Sequence, residues 1–416
     1  LLGPVFRLFP SGLSLLVLQG ILFGWSAVPI TRYARLRLGG AWGTVLGVAY
    51  VVSWGLTEAV KSQFHEIAFA VPLLAYGIVF FLEGKMRAAL ITIGMLVFIK
   101  EDLGLTVAAC GFLMIWIEWG KVARAEADAQ GTRPLPLRGW DSLRKALGNR
   151  ETSPAIGLIL WGLFWFLAAI LIILPLLNPD GNWDYTGRLA ETEGTGSGLA
   201  GFFVGLFGPG EKIVTLFLLI IAMGIVGLIS PLWWLMVPTL AWRFAGNVEF
   251  YWGWGWHYSA ILMPIAALAL VDGVERLRGK PELRESWRRG VAGGAVMIAL
   301  AGTVGMAWNG PLGQLARGRV ATSDERAAGA AGAIEAAGTG KRIVSDLSLL
   351  AYLVPGNTVF WEGTVAEAPV DTVVIGPSHD AHGPGIDPAQ WAGDRYGGSW
   401  QVAYDEAGYT VLTKLR

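Results

Sequence analysis

One cysteine, four histidines and a charged fraction of 15% are what this 416-residue chain has little of. Cys110 stands alone inside an apolar run, so it makes no intrachain disulfide and marks no redox compartment. No Walker A loop, GxSxG elbow, HExxH pair or CxxC pair occurs, so the usual sequence marks of nucleotide cradling, serine hydrolysis, zinc proteolysis and thiol redox chemistry are all missing. The formal net charge is zero, which offers nothing to nucleic acid. Soluble domains carry about 25% charged residues, well above the share here. The chain lacks an initiator Met and a charged n-region followed by a cleavage site. LLGPVFRLFP reads as a start in mid-protein, so further residues are expected upstream.

What the chain has is apolar length. It is 54% hydrophobic, with a mean hydropathy of +0.51. Apolar runs near 20 residues recur, each long enough to cross a hydrocarbon core of roughly 30 Å. The expected fold class is a polytopic α-helical membrane protein of about ten spans, with a small C-terminal α/β extracytoplasmic domain. Apolar runs place the spans near 11–30, 39–59, 67–83, 88–99, 103–119, 155–177, 213–229, 231–243, 257–274 and 290–308. Loop charge alternates between them. Segment 31–38 holds Arg32, Arg35 and Arg37, segment 84–87 holds Lys85 and Arg87, segment 120–154 holds seven Lys/Arg and segment 275–289 holds six. The intervening loops carry only Lys61, Lys100, and then Arg188 with Lys212. Basic short loops stay cytoplasmic, and all ten spans alternate without conflict under that assignment. The basic loop 120–154 is placed to meet anionic headgroups.

Two spans are short. Residues 88–99 give only about 18 Å of helix. A single helix over 88–119 would put two basic loops on opposite sides, so a hairpin with its tip at Lys100-Glu101-Asp102 is expected near the outer surface. Residues 231–243 contain Pro231 and Pro238, which predict a broken or tilted helix. Beyond Trp308 the chain turns polar and rich in Gly and Ala. Residues 325–338 read as a helix. KRIVS (341–345), NTVFW (357–361), DTVVIG (371–376) and the pair QVAYD and YTVLTKL around Ala407-Gly408 read as strands. The domains are therefore 1–309, spanning the membrane, and 310–416, outside. The loop 178–212 is also external and long enough to act as a lid. His379 and His382, in SHDAHGPG, read as a solvated loop.

Three polar clusters fall on the outer side that loop charge alone assigns. The first is Gln63-Phe64-His65-Glu66, and the second is Lys100-Glu101-Asp102. The third runs from Arg243 through Asn247, Glu249, Tyr251, Trp254, Trp256 and His257 to Tyr258. Ionisable groups at membrane depth are expensive and face protein or an aqueous cavity. Plainer roles stand beside functional ones. Asp102 is placed to cap the helix beginning at Leu103, Lys100 to snorkel, and His65-Glu66 to open a helix. The Trp/Tyr run is either an interfacial aromatic belt or a stacking surface for a sugar or an isoprenoid chain. Glycines between Trp252, Trp254 and Trp256 let backbone approach a ligand closely. His65, Glu66, Glu101, Asp102 and His257 are types that can hold a divalent cation, although no spacing matches a standard metal site.

At FHEIAFAVPLL, FIKEDLGLTVA and YWGWGWHYSAILMPI the chain resembles the bacterial predicted-membrane-protein family catalogued as domain of unknown function 2079, common in actinobacteria. The resemblance runs from about Leu1 to Leu415. That family in turn resembles the GT-C class of membrane glycosyltransferases, multi-span enzymes that act on the outer face and use polyprenyl-phosphate sugar donors. The resemblance implies a glycosyltransferase with a polyprenyl-phosphate lipid donor as partner. It also implies that a further helix, and an outer loop carrying an Asp, precede Leu1. That loop is where GT-C enzymes usually hold the catalytic base.

On this mechanism the catalytic set is Glu66, Glu101 and Asp102, the carboxylates present here to assist or orient the base, with Lys100 at the departing phosphate. His257 or Arg243 shares that phosphate role. His65, Glu249, Tyr251, Trp254, Trp256 and Tyr258 complete the substrate-binding set. A lipid or solute transporter or flippase is the rival, since intramembrane charge and broken helices fit it too. A non-catalytic scaffold is the third reading. The charges gather near one side and no repeat relates the two halves, which favours glycosyl transfer.

Overall fold

A computed structural model describes residues 3–129, 139–149, 152–178, 208, 210–246, 248–318, 323–363 and 369–415. Most of the expected outer loop 178–212, part of the basic loop 120–154 and Asn247 lie outside the described residues. The chain divides into two compact units, Gln19–Gly313 and a second made of Leu1–Leu18 with Gln314–Arg416.

In the larger unit the apolar runs are helices, the form that satisfies every backbone group within its own segment. Among the described residues five helices are long and apolar enough to cross a membrane: Gly12–Leu38, Gly40–Lys61, Leu103–Ala129, Ser153–Leu177 and Glu285–Asn309. Ile67–Leu82 and Met86–Phe98 are apolar and shorter. The Gly40–Lys61 span is interrupted at Val52-Ser53 between helices Gly40–Val51 and Trp54–Lys61. Packing is close where glycine removes a side chain. A Cβ on Gly104 would lie 2.6 Å from the Gly162 carbonyl, and one on Gly162 would lie 2.4 Å from the Gly104 carbonyl. These two residues bring Leu103–Ala129 and Ser153–Ala168 nearly backbone to backbone.

Three local expectations change. Residues 31–38 are the last two turns of Gly12–Leu38 and not a loop. Long arginine side chains leave an apolar segment without the backbone having to, so charge ends a span before it ends a helix. The run 213–229 is a helix Gly210–Ala222, a reversal, and a 3₁₀ turn Val226–Ile229. The reversal uses positive φ at Gly224 (58°) and Ile225 (61°). Hydropathy does not register such a turn, because both sides of it stay apolar. The last apolar helix before the basic loop 275–289 begins at Leu262 rather than 257.

The short segments follow expectation. The chain breaks at 99–102 between Met86–Phe98 and Leu103–Ala129, and 231–243 is a 3₁₀ turn Pro231–Met236 followed by the helix Val237–Ala245.

The C-terminal sheet has five strands: β1 Arg342–Ser345, β2 Thr358–Trp361, β3 Thr372–Ile375, β4 Trp400–Glu406 and β5 Tyr409–Lys414. Their order is β2-β1-β3-β5-β4, with β2, β1 and β3 parallel and β5 and β4 antiparallel to their neighbours. Side chains alternate across it. Ile343, Val374 and Val411 pack on Ala333 and Ala337 of the helix Asp324–Ala337. Val344, Val373, Ile375 and Leu412 pack on Ala392 of the helix Pro388–Tyr396, which composition alone did not reveal.

His379 and His382 are not a solvated loop. His379 Nε2 lies 2.6 Å from Glu362 and its Nδ1 accepts from the Ala381 N–H at 3.0 Å, while His382 Nε2 meets Thr410 Oγ1 at 2.9 Å.

Candidate functional site

The helix Trp54–Lys61 ends in a tight turn that passes through Gln63 at φ 76° before Ile67–Leu82 begins. A single buried amide from the Gly12–Leu38 helix holds this turn. Gln19 Nε2 donates to the carbonyls of Ala59 (3.1 Å) and Gln63 (3.0 Å), and its Oε1 accepts the His65 N–H at 3.1 Å. Gln19 stands alone in an apolar run, and a lone amide there is the signal that sequence reading passed over. Gln19→Ala leaves three backbone groups without this partner. It is expected to destabilise the chain by about 1–3 kcal/mol, read as an earlier chemical-unfolding midpoint.

The fixed turn presents His65 and Glu66. Lys100, from the break at 99–102, donates to Glu66 Oε1 at 3.0 Å, and the lysine is the more buried partner. The pair holds the ammonium in place. Burial opposes the ammonium, but the Glu66, Asp102 and Glu101 carboxylates outweigh it and hold Lys100 above its ordinary value. Burial likewise opposes the Glu66 carboxylate, and Lys100 holds it below the ordinary value.

Asp102 Oδ2 accepts from Trp242 Nε1 at 2.9 Å, which ties the turn to a distant helix and reaches beyond a capping role. Asp102 Oδ1 is buried with no hydrogen-bond partner among the described residues. Burial pushes the Asp102 carboxyl up to about 6, against the pull of Lys100.

The third cluster closes over the first. His65 and His257 stack with ring centroids 3.5 Å apart and planes 18° from parallel, and Tyr258 lies 4.2 Å from His257. Burial lowers both imidazoles. Lys100 adds to this at both, and Arg243 adds to it at His257. Both rings are therefore neutral at physiological pH, as so close a stack requires. His257 Nδ1 is buried without a partner among the described residues.

Arg243, fully buried, shapes the loop that carries His257. It donates to the Tyr251 carbonyl (2.7 Å), the Gly253 carbonyl (2.8 Å) and Ser259 Oγ (3.2 Å), and its guanidinium lies over the Tyr258 ring. Trp242 packs edge-on to Tyr251 and Tyr258. Lys212 donates to the Phe244 carbonyl at 2.8 Å, with its ammonium 4.3 Å from the Trp252 ring.

Three clusters far apart in sequence thus meet at His65, Glu66, Lys100, Asp102 and His257. Arg243, Tyr251 and Tyr258 form the supporting wall. Trp254 is half-buried, Trp256 and Glu249 are exposed, and Glu101 has a half-buried side chain beside the ion pair. Sequence reading did not single out Gln19, Trp242 or Ser259. No group of three or more His, Cys, Asp or Glu side chains among the described residues is disposed to hold a metal ion.

The family described as Predicted membrane protein (DUF2079) matches residues 1–317, and the chain belongs to it. No curated protein matches, and no solved structure matches.

Proposed function

We propose that this member of the DUF2079 predicted membrane protein family is a glycosyltransferase of GT-C type, using a polyprenyl-phosphate-linked sugar at the outer face of the cytoplasmic membrane. On this reading the shorter apolar segments complete a topology of about ten spans. The basic loops are then inside and the domain 310–416 outside. The observation that carries the reading is the meeting of a half-buried lysine and a carboxylate tuned near neutrality, from the helix break at 99–102, with two neutral imidazoles from the segments at 65 and 257.

The acceptor hydroxyl attacks the anomeric carbon, and the bond from that carbon to the phosphate oxygen breaks with its electron pair. The positive charge that develops on the sugar is oxocarbenium-like. Lys100 stabilises the departing phosphate, because a preformed, positioned cation acts on developing charge without reorganising. Asp102 takes the hydroxyl proton at Oδ1, a buried atom that has no hydrogen-bond partner among the described residues. A base is most effective when its pKa lies near the working pH, and Asp102, at about 6, meets that condition. Glu66 holds Lys100 in place. Trp254 and Trp256 line the approach of the sugar or the isoprenoid chain.

Asp102 gives two opposite pH trends. Activity rises with pH through about 6 as the carboxyl ionises. Between the ordinary value of 3.8 and about 6 the folded chain keeps a proton that the unfolded chain releases. The stability contributed by this group therefore falls as pH rises through that window. Asp102→Asn is expected to cut transfer by about 10²–10⁴-fold and to flatten both trends. A pH profile of donor turnover, run beside thermal unfolding, checks this. An unchanged ascending limb in the variant would remove Asp102 from the proton transfer.

A further inference from the structure

An apolar groove of about 730 Å³ lies away from this site, between the reversal at 223–229 and the helix Glu285–Asn309. One wall is Gly224, Ile225 and Leu228, and the other includes Gly290, Gly294 and the 73% exposed Trp287. Two features make it concave. Positive φ at Gly224 and Ile225 turns the chain back at the end of Gly210–Ala222. Such a conformation is strained for a β-branched residue like Ile225. On the facing helix, Cβ atoms placed on Gly290 or Gly294 would meet nothing within 4 Å, so both glycines look onto open space. Gly224 does the reverse: a Cβ there would lie 2.5 Å from the Ala295 carbonyl, which pins the turn against the helix.

One end of the groove carries an excess of basic residues. Residues 275–289 hold six Lys/Arg against three Glu; Arg276 pairs with Asp272, Arg278 with Glu275, and Arg288 and Arg289 with Glu285, while Arg284 is exposed to solvent. Arg278 Nε donates to the Arg288 carbonyl at 3.3 Å, joining the two sides of this rim. Arg284 immediately precedes the Glu285–Asn309 helix, whose first turn brings Ser286 into the groove wall. An apolar slot that opens onto a cationic rim has the chemistry of a bound anionic lipid, with its chain in the slot and its phosphate at the rim.

We infer that this groove is a binding site for one anionic diacyl phospholipid, with an acyl chain along Gly290 and Gly294 and the headgroup against Arg284 and the basic segment beside it. The site is separate from the Lys100 cluster and does not depend on its chemistry.

The test fills the slot without disturbing the packing. Gly294→Leu adds a side chain where a Cβ meets nothing, and leucine favours helix. The full chain is delipidated in mild detergent and titrated with dioleoyl phosphatidylglycerol or dioleoyl phosphatidylcholine, and bound lipid is counted by native mass spectrometry. Wild type is expected to bind one phosphatidylglycerol in preference to phosphatidylcholine. Gly294→Leu should weaken that event about tenfold, the loss expected from displacing a few buried methylenes. Arg284→Gln should erase the preference for the anionic lipid. Equal lipid-free melting temperatures show that both variants fold. Undiminished binding to Gly294→Leu overturns the site, and equal binding of the two lipids by wild type overturns the anionic assignment. A Gly294-sensitive dimer mass in place of lipid would show that the occupant is a second copy of the chain.

Discussion

Lys100→Ala is expected to lower turnover about 10²–10³-fold, the scale of removing one preformed charge-stabilising group from an active site. The fold should survive. The Lys100–Glu66 pair closes the turn on one side only, while Gln19 holds it from the other. Glu66 is the more exposed partner, so the stability cost should stay near 1 kcal/mol, as for a partly solvated pair. Glu66→Gln separates charge from placement. It keeps the lysine cation and removes its anchor, so the loss in turnover should be smaller than for Lys100→Ala. Both variants are read by donor consumption in reconstituted membranes, with thermal unfolding alongside. Full activity in Lys100→Ala would take Lys100 out of the mechanism.

Arg243→Met should be the most damaging change to stability. The guanidinium is wholly buried and serves the carbonyls of Tyr251 and Gly253 and the hydroxyl of Ser259. Hydrogen bonds to a charged group contribute about 1.5–3 kcal/mol each, and methionine leaves every one of these acceptors unpaired. A loss of about 3 kcal/mol or more is expected, together with release of the loop that sets His257 over His65. Arg243→Lys should not restore it, because an ammonium cannot reach three acceptors along a planar fork. The unfolding midpoints of the two variants check this. A lysine variant as stable as wild type would show that charge alone holds the loop.

The small sheet was the most legible part of the fold. KRIVS, NTVFW, DTVVIG and the pair around Ala407-Gly408 are short β-branched runs between turn residues, and all five became strands. The helix Pro388–Tyr396 was not visible, because only Ala392 is fully buried in it and the face it turns to the core, Ala389, Ala392 and Tyr396, is short and mostly alanine. In the larger unit, hydropathy located the helices and failed at their ends. It cannot see a turn such as Met223–Ile225, where backbone reverses within apolar sequence.

Loop charge put the three polar clusters on one face, and His65, Glu66, Lys100, Asp102 and His257 do meet. Their partners were less visible. Trp242 looks like any apolar tryptophan until its indole N–H is found on Asp102. Arg243 looks like a ligand-facing cation, yet its donors go to the protein's own backbone and to Ser259. Sequence shows which residues are costly to bury, while only the fold shows which of them satisfy one another.

The most direct measurement is native mass spectrometry of the full-length protein, released gently from its own membranes, for copurified lipid. Wild type should carry a polyprenyl phosphate or its glycosylated form, and Lys100→Ala should lose it while keeping the same folded charge-state distribution. Bulk phospholipid alone, unchanged by that substitution, would contradict a lipid-phosphate site at Lys100.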